Sequence, residues 1–170
     1  MPKRVERPFA GLVALPNFPV TLLTCAENVM TAVSFHYYST RPACLQVGVR
    51  KDNWTHQLIL EHKEFGINLP TADMMDKLKH IGEVSGRVED KWAATGLTKQ
   101  RATQIKSVLV AECPVNLECK VVHQVAYEGS HTWFIGRIHA AHIDTSYDKK
   151  NALLFWMQEF RAMGDVLLKY

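Results

Sequence analysis

β-prone runs follow one another in this chain with too little between them for crossover helices. From Ile105 onward the runs Ser107–Glu112, Val115–Val125 and His131–Ile143 succeed each other, the last two separated by Glu128-Gly129-Ser130, a hairpin-turn composition. Upstream, Val20–Cys25 turns through Ala26-Glu27-Asn28 into a second run over Thr31–Phe35, and Glu64–Leu69 is a further run stopped by Pro70. Ala43–Val49 alternates so weakly that it predicts a strand covered on both faces. Helical spacing stands out in two places. Asp52 or Asn53 can cap a helix with Trp54, Leu58 and Ile59 on its apolar side, and Thr71 can cap one carrying Met74, Met75, Leu78 and Ile81 as core filling. Parallel strands need a crossover of a dozen or more residues. The spacing therefore predicts a mainly β fold of seven or eight strands with two or three helices, an antiparallel barrel rather than a doubly wound sheet.

The remaining segments read as connections. Met1–Gly11 is a polar arm, and the residues from His36 to Arg41-Pro42 form a polar crossing. Gly82–Trp92 ends the second helix as a loop whose Ser85-Gly86 pair lets backbone approach a ligand, with Arg87 and Lys91 supplying positive charge. Asn151–Tyr170 is aromatic-rich and predicts a short helix up to Met163, with Gly164 as its stop. No repeat or linker divides the chain, so 1–170 reads as one domain with a core over about 11–145 and an aromatic tail over 151–170.

Composition removes several function classes. A chain of 170 residues buries roughly 70% of its unfolded surface, enough to fold without metal or disulfide staples. The net charge of +3 carries no basic run longer than Lys3-Arg4 or Lys149-Lys150, too little for a nucleic-acid footprint but suited to a small anionic ligand. No apolar run reaches membrane-spanning length, and Pro16 and Pro19 interrupt the stretch where a signal peptide needs its apolar core. Cys25, Cys44, Cys113 and Cys119 show no CxxC spacing, which predicts free, mostly buried thiols in a reducing cytoplasm. There is no GxGxxG, no GxxxxGK[ST] and no GxSxG. His139 and His142 of His139-Ala-Ala-His142-Ile-Asp144 should point to opposite faces of a strand, against a shared metal. A bound nucleotide must then be held by scattered loop groups.

The stretch Asn28–Ile59 offers such groups. It sets Asn, Thr and Ser side chains beside one strand and a basic residue, an aromatic and a hydroxyl (Arg50, Trp54, Thr55) at the end of the next, which suits a phosphorylated, planar cofactor. Taken singly these residues have plainer roles. Asn28 serves equally as a turn residue, Thr55 as a first-turn helix residue, Arg50 and Lys91 as solvated charges, Trp54 as core or subunit contact, and His131 as a polar loop residue.

The order of these pieces resembles the flavin reductase-like family, flavoredoxin branch. The resemblance rests on Asn28-Val29-Met30-Thr31-Ala32-Val33-Ser34, Val49-Arg50 with Trp54-Thr55 and Leu58-Ile59, Phe65-Gly66-Ile67-Asn68-Leu69-Pro70, Ser85-Gly86-Arg87 with Asp90-Lys91, and Gly129-Ser130-His131 with Ile135-Gly136. It implies an FMN-binding split barrel, Greek-key and antiparallel, working as a homodimer with the flavin near the subunit interface. Asn28, Val29, Met30 and Thr31 then match the first flavin-contacting strand and turn. Arg50, Trp54 and Thr55 match positions at the ribityl phosphate, Ser85, Gly86 and Lys91 the second loop around the cofactor, and His131 a flavin-contacting histidine. The chain departs from the family's Pro-Pro pair with Arg41-Pro42-Ala43, and Phe155, Trp156 and Phe160 are all candidates for a C-terminal aromatic on the flavin. The implied activity is hydride transfer from NADH or NADPH to FMN and on to free flavin, a redox-protein or monooxygenase partner, or another small acceptor. The alternatives are an FMN electron carrier without nicotinamide activity, and a barrel that holds haem or a deazaflavin or serves a structural role.

Overall fold

The computed structural model describes residues 4–168, so Met1-Pro2-Lys3 of the polar arm and Lys169-Tyr170 of the aromatic tail lie outside the described residues. The elements in order are α1 (Pro8–Val13), β1 (Phe18–Pro19), β2 (Thr21–Cys25), β3 (Asn28–Ala32), β4 (Phe35–Thr40), β5 (Ala43–Arg50), α2 (Trp54–His62) and β6 (Glu64–Leu69). A 3-10 turn at Ala72–Met74 runs into α3 (Met75–Glu83), then α4 (Lys91–Thr95), β7 (Lys99–Gln100), β8 (Leu109–Val110), β9 (Val115–Val125), β10 (His131–Ile143), a second 3-10 turn, β11 (Leu153–Trp156) and β12 (Glu159–Ala162). Among the described residues no helix is long and apolar enough to cross a membrane.

One antiparallel sheet of seven strands, ordered β3-β2-β6-β9-β10-β5-β4, forms the body. Its two edge strands, β3 and β4, are the farthest apart in the sheet yet are joined in sequence by only Val33 and Ser34. Two residues cannot span a flat sheet of seven strands at about 4.8 Å each. The sheet therefore curls until its edges meet, and Gly48 N–H, donating to the Ser34 carbonyl at 2.7 Å, carries the β4–β5 ladder one rung into the connection between them. This is a barrel split between β3 and β4.

Side chains alternate between two cores. Leu23, Val47, Val49, Phe65, Ile67 and Phe134 fill the barrel, with Ile59 of α2. Leu22 and Val29 face the other way, into a layer made by Leu78 and Ile81 of α3, Trp92 of α4, Val110 and Leu153. β2 is therefore buried along its whole length, and β5 is covered on both faces over most of its own, as its weak alternation predicts.

Five local expectations are corrected. The polar crossing after Phe35 is strand β4, because Phe35 to Thr40 pairs with β5 across the Arg41-Pro42 turn. The tail over 151–163 is a hairpin rather than a helix: Leu153 pairs with Ala162, Phe18 with Phe155, and Met157 and Gln158 take positive φ at its tip without glycine or asparagine. Ser107–Glu112 is strand only at Leu109–Val110; Ser107 is held by the Glu64 carboxylate, and Val108 and Ala111 N–H donate to the carbonyls of Ala26 and Thr98. The polar arm contains α1, and the 82–92 loop ends in α4, whose first turn Asp90 caps by accepting from Trp92 and Ala93 N–H. Asn53 occupies the N-cap of α2 and Thr71 that of the 3-10 turn, but neither side chain makes a capping bond.

Candidate functional site

A cleft of about 470 Å³ lies at the seam, within the size range of small-molecule sites. β3 contributes Asn28, Met30 and Thr31, and the seam contributes Val33 and Ser34. β5 contributes Gly48 and Arg50, the start of α2 Trp54 and Thr55, the loop after α3 Ser85, Gly86 and Arg87, α4 Lys91, and the start of β10 His131. Ten of the eleven residues expected at a ligand thus line one cleft. Val29 does not: its side chain is fully buried in the outer core, and its carbonyl accepts from Lys91.

Local chemistry explains the convergence. Asn28 Nδ2 donates to Thr55 Oγ1 at 2.7 Å, joining β3 to the first turn of α2. The Thr55 oxygen accepts that bond, so its own proton is free to be donated. The side chain of Asn53 leaves α2 uncapped, with Nδ2 4.0 Å from Met30 Sδ, and the helix starts at the cleft with its positive end and unpaired N–H groups. Gly86 is required by closeness: a Cβ there would stand 2.1 Å from Asn28 Oδ1 and 3.0 Å from the Trp54 ring. The loop's own main chain is braced by Val88 and Glu89 N–H on the Ser85 carbonyl.

The cations differ in availability. Lys91 is buried, and its ammonium donates to the carbonyls of Val29 and Ile81, both at 2.9 Å, leaving one proton for a ligand. Burial brings its pKa down to about 8. Arg50 is exposed and already forked onto Asp52, with Nε to Oδ1 at 3.0 Å and Nη2 to Oδ2 at 2.7 Å. His131 pairs with Arg50 across β10 and β5 and shares a 2.7 Å bond with Ser130 Oγ. Its partial burial and the Arg50 charge lower its pKa against the opposing pull of Asp52, favouring the neutral ring.

Sequence reading did not name Ser34, Gly48, Asp52 or Asn53 as site residues, although all four line the cleft. Gly48 carried a signal, a glycine inside a strongly β run; Asp52, two residues after Arg50, carried another. Elsewhere, His142 turns to Glu118, at 2.6 Å. The four cysteines are buried and unpaired, and burial pushes the Cys25 thiol up to about 12.

The chain resembles an uncharacterized protein of Archaeoglobus fulgidus, 37% identical over 72% of this chain and 70% of that protein. Its fold is that of the flavoredoxin of Methanosarcina acetivorans (27% identical, TM-score 0.88, covering 99% of this chain and 95% of that one). The flavoredoxin of Desulfovibrio vulgaris superposes similarly (27% identical, TM-score 0.86, covering 99% and 97%). The model of the flavin reductase like domain matches residues 16–164. With that match spanning barrel, cleft and tail hairpin alike, the chain belongs to the flavin reductase-like domain family.

Proposed function

We propose that the cleft binds FMN non-covalently and that the chain is an FMN-dependent oxidoreductase, drawing on NADH or NADPH and passing electrons to an acceptor. One observation carries this reading: the Thr55 hydroxyl, the remaining Lys91 proton and the uncapped start of α2 line a single cleft at the barrel seam. A phosphate close to a dianion needs such a set of donors. At about 1.5–3 kcal/mol per charge-assisted hydrogen bond, three contacts supply half or more of the roughly 8 kcal/mol of micromolar binding. Arg50, shared with Asp52, serves the rim.

FMN, when bound, supplies the hydride-accepting and electron-passing chemistry. The protein's part is positional. Asn28 keeps a second amide proton and its Oδ1 for polar groups of the ring, and the edges of β3 and β4 leave main-chain donors unpaired beside it. Gly86 lets its loop close over Asn28 and Trp54. No side-chain acid or base is demanded, since holding donor and ring together is what accelerates such a transfer.

The electron-carrier reading is favoured by the likeness to two flavoredoxins along 99% of the chain. We also infer a homodimer, because Tyr37, Tyr38, Val122, Val125, Tyr127 and Trp133 stand exposed on β4 and the β9–β10 ribbon. Light scattering should return twice the chain mass. The deciding experiment is a visible spectrum after FMN reconstitution and desalting, followed by NADH and NADPH oxidation. Retained flavin with turnover supports the oxidoreductase. Retained flavin that only a reduced protein donor can reduce supports the carrier, and a colourless protein that also fails an FMN titration removes both.

A further inference from the structure

Ala26 opens the two-residue turn between β2 and β3 with φ of 49°, in the left-handed region that disfavours a side chain. Nothing in Ala26-Glu27 itself stabilises that conformation, since neither residue is glycine or asparagine. The turn is held from outside. Ala26 N–H donates to Ser107 Oγ at 2.8 Å, the Ala26 carbonyl accepts from Val108 N–H at 3.0 Å, and the Glu27 carbonyl accepts from the Trp92 indole at 2.6 Å.

Ser107 is fully buried and has one orientation open to it. Its hydroxyl donates to Glu64 Oε1 at 2.9 Å, which turns the oxygen's lone pairs toward Ala26. Glu64 also accepts from the main-chain N–H of Lys106 and Ser107, both at 2.7 Å, so the carboxylate and the hydroxyl are fixed together. Immediately after the turn comes Asn28, paired with Cys25, holding Thr55 through its amide and meeting Gly86 through Oδ1.

We propose that Ser107, oriented by Glu64, is a positioning residue for the cleft: it locks Ala26 in the left-handed state and so sets where Asn28 holds Thr55. Ser107 does not line the cleft, and its influence on a ligand runs through the Ala26 turn to Asn28. The proposal deepens the flavin reading and rests on it for the ligand's identity.

The test uses the full chain as wild type, Ser107→Ala, Ser107→Thr, Ala26→Gly with Ser107→Ala, and Thr103→Val, which removes the 2.9 Å bond from Thr103 Oγ1 to Glu118 Oε1, outside the Ala26 turn. FMN affinity is read by quenching of flavin fluorescence, and amide exchange over 26–28 and at Thr55 is read without ligand. Ser107→Ala should weaken FMN binding about tenfold, a lost buried hydrogen bond's worth, and speed exchange at the turn. Ser107→Thr should stay near wild type. The double variant should recover affinity and protection, because glycine holds φ of 49° unaided. Thr103→Val should lower the melting temperature without changing affinity. Wild-type affinity and exchange in Ser107→Ala would overturn the proposal, as would a double variant no better than the single one. Should Ser107→Ala alone fail to fold, the double variant decides: folded and FMN-binding upholds the clamp, unfolded overturns it. A wild type that binds no FMN but shows the exchange pattern removes the flavin reading and leaves the clamp on Asn28 standing.

Discussion

The side-chain amide of Asn28 and the hydroxyl of Thr55 meet at 2.7 Å with both residues buried, joining the first residue of β3 to the first turn of α2. That bond decides which proton the threonine has left to offer a ligand. Thr55→Ala should therefore weaken FMN binding by about tenfold or more, the loss of one hydrogen bond to a charged group. Thr55→Ser should remain within a few-fold of wild type. Calorimetric titration of the two variants side by side checks this, and equal losses would move the phosphate elsewhere.

Lys91 gives the site a pH dependence. Its pKa is brought down to about 8 by burial, so the folded protein loses this proton around pH 8, while the unfolded chain keeps it until near 10.5. FMN affinity should fall as pH rises through 8, and Lys91→Met should bind weakly at every pH with a flat profile. Stability of the ligand-free protein moves the other way. In that window the unfolded chain binds more protons than the folded one, so resistance to urea should rise with pH until about 10.5.

Gly86→Ala tests the closeness of the second loop. A methyl 2.1 Å from Asn28 Oδ1 and 3.0 Å from Trp54 forces either the loop or the amide to move. We expect a loss of about 1–3 kcal/mol in stability and FMN binding reduced by an order of magnitude or more. Gly96→Ala is the comparison: its φ of 64° strains any side chain, but no atom lies within 4 Å and it is absent from the cleft lining. It should lower stability and leave affinity intact.

Acid should release the segment Thr103-Gln104-Ile105, whose N–H groups donate to Glu118. Glu118 is fully buried; burial pushes its carboxyl up, but the His142 ring and the N–H groups of Thr103 and Gln104 outweigh that and bring it down to about 2. A carboxyl depressed in the folded state contributes stability that is complete above the unfolded value near 4.5 and lost as pH falls toward 2. Urea midpoints should drop by the equivalent of a few kcal/mol across that window. Glu118→Gln should be less stable at pH 7 and should flatten the acid limb.

The barrel was legible because strands β2, β5, β6, β9 and β10 carry their own β propensity and their spacing leaves no room for crossovers. What sequence could not supply was pairing at a distance. The tail hairpin depends on Phe18 meeting Phe155, and its tip on positive φ at Met157 and Gln158, neither of which leaves a local trace. β4 was hidden by the polar character of His36 to Thr40, which is that of an exposed edge strand. In the cleft, the residues named from Asn28 to His131 were recognisable as types, but the spending of Lys91 on two carbonyls and of Arg50 on Asp52 is a matter of geometry alone.

The seam has a mechanical consequence. β3 and β4 each have one hydrogen-bonded neighbour, and one main-chain bond crosses between their connecting residues and Gly48. The five other strands of that sheet are hydrogen-bonded on both sides. A molecule entering at the seam can therefore spread the shell by bending Val33 and Ser34, without breaking a rung anywhere else. On the flavin reading proposed above, the guest sits where the shell has the fewest main-chain rungs, so ring systems of different width should be admitted at little expense to the frame that holds them.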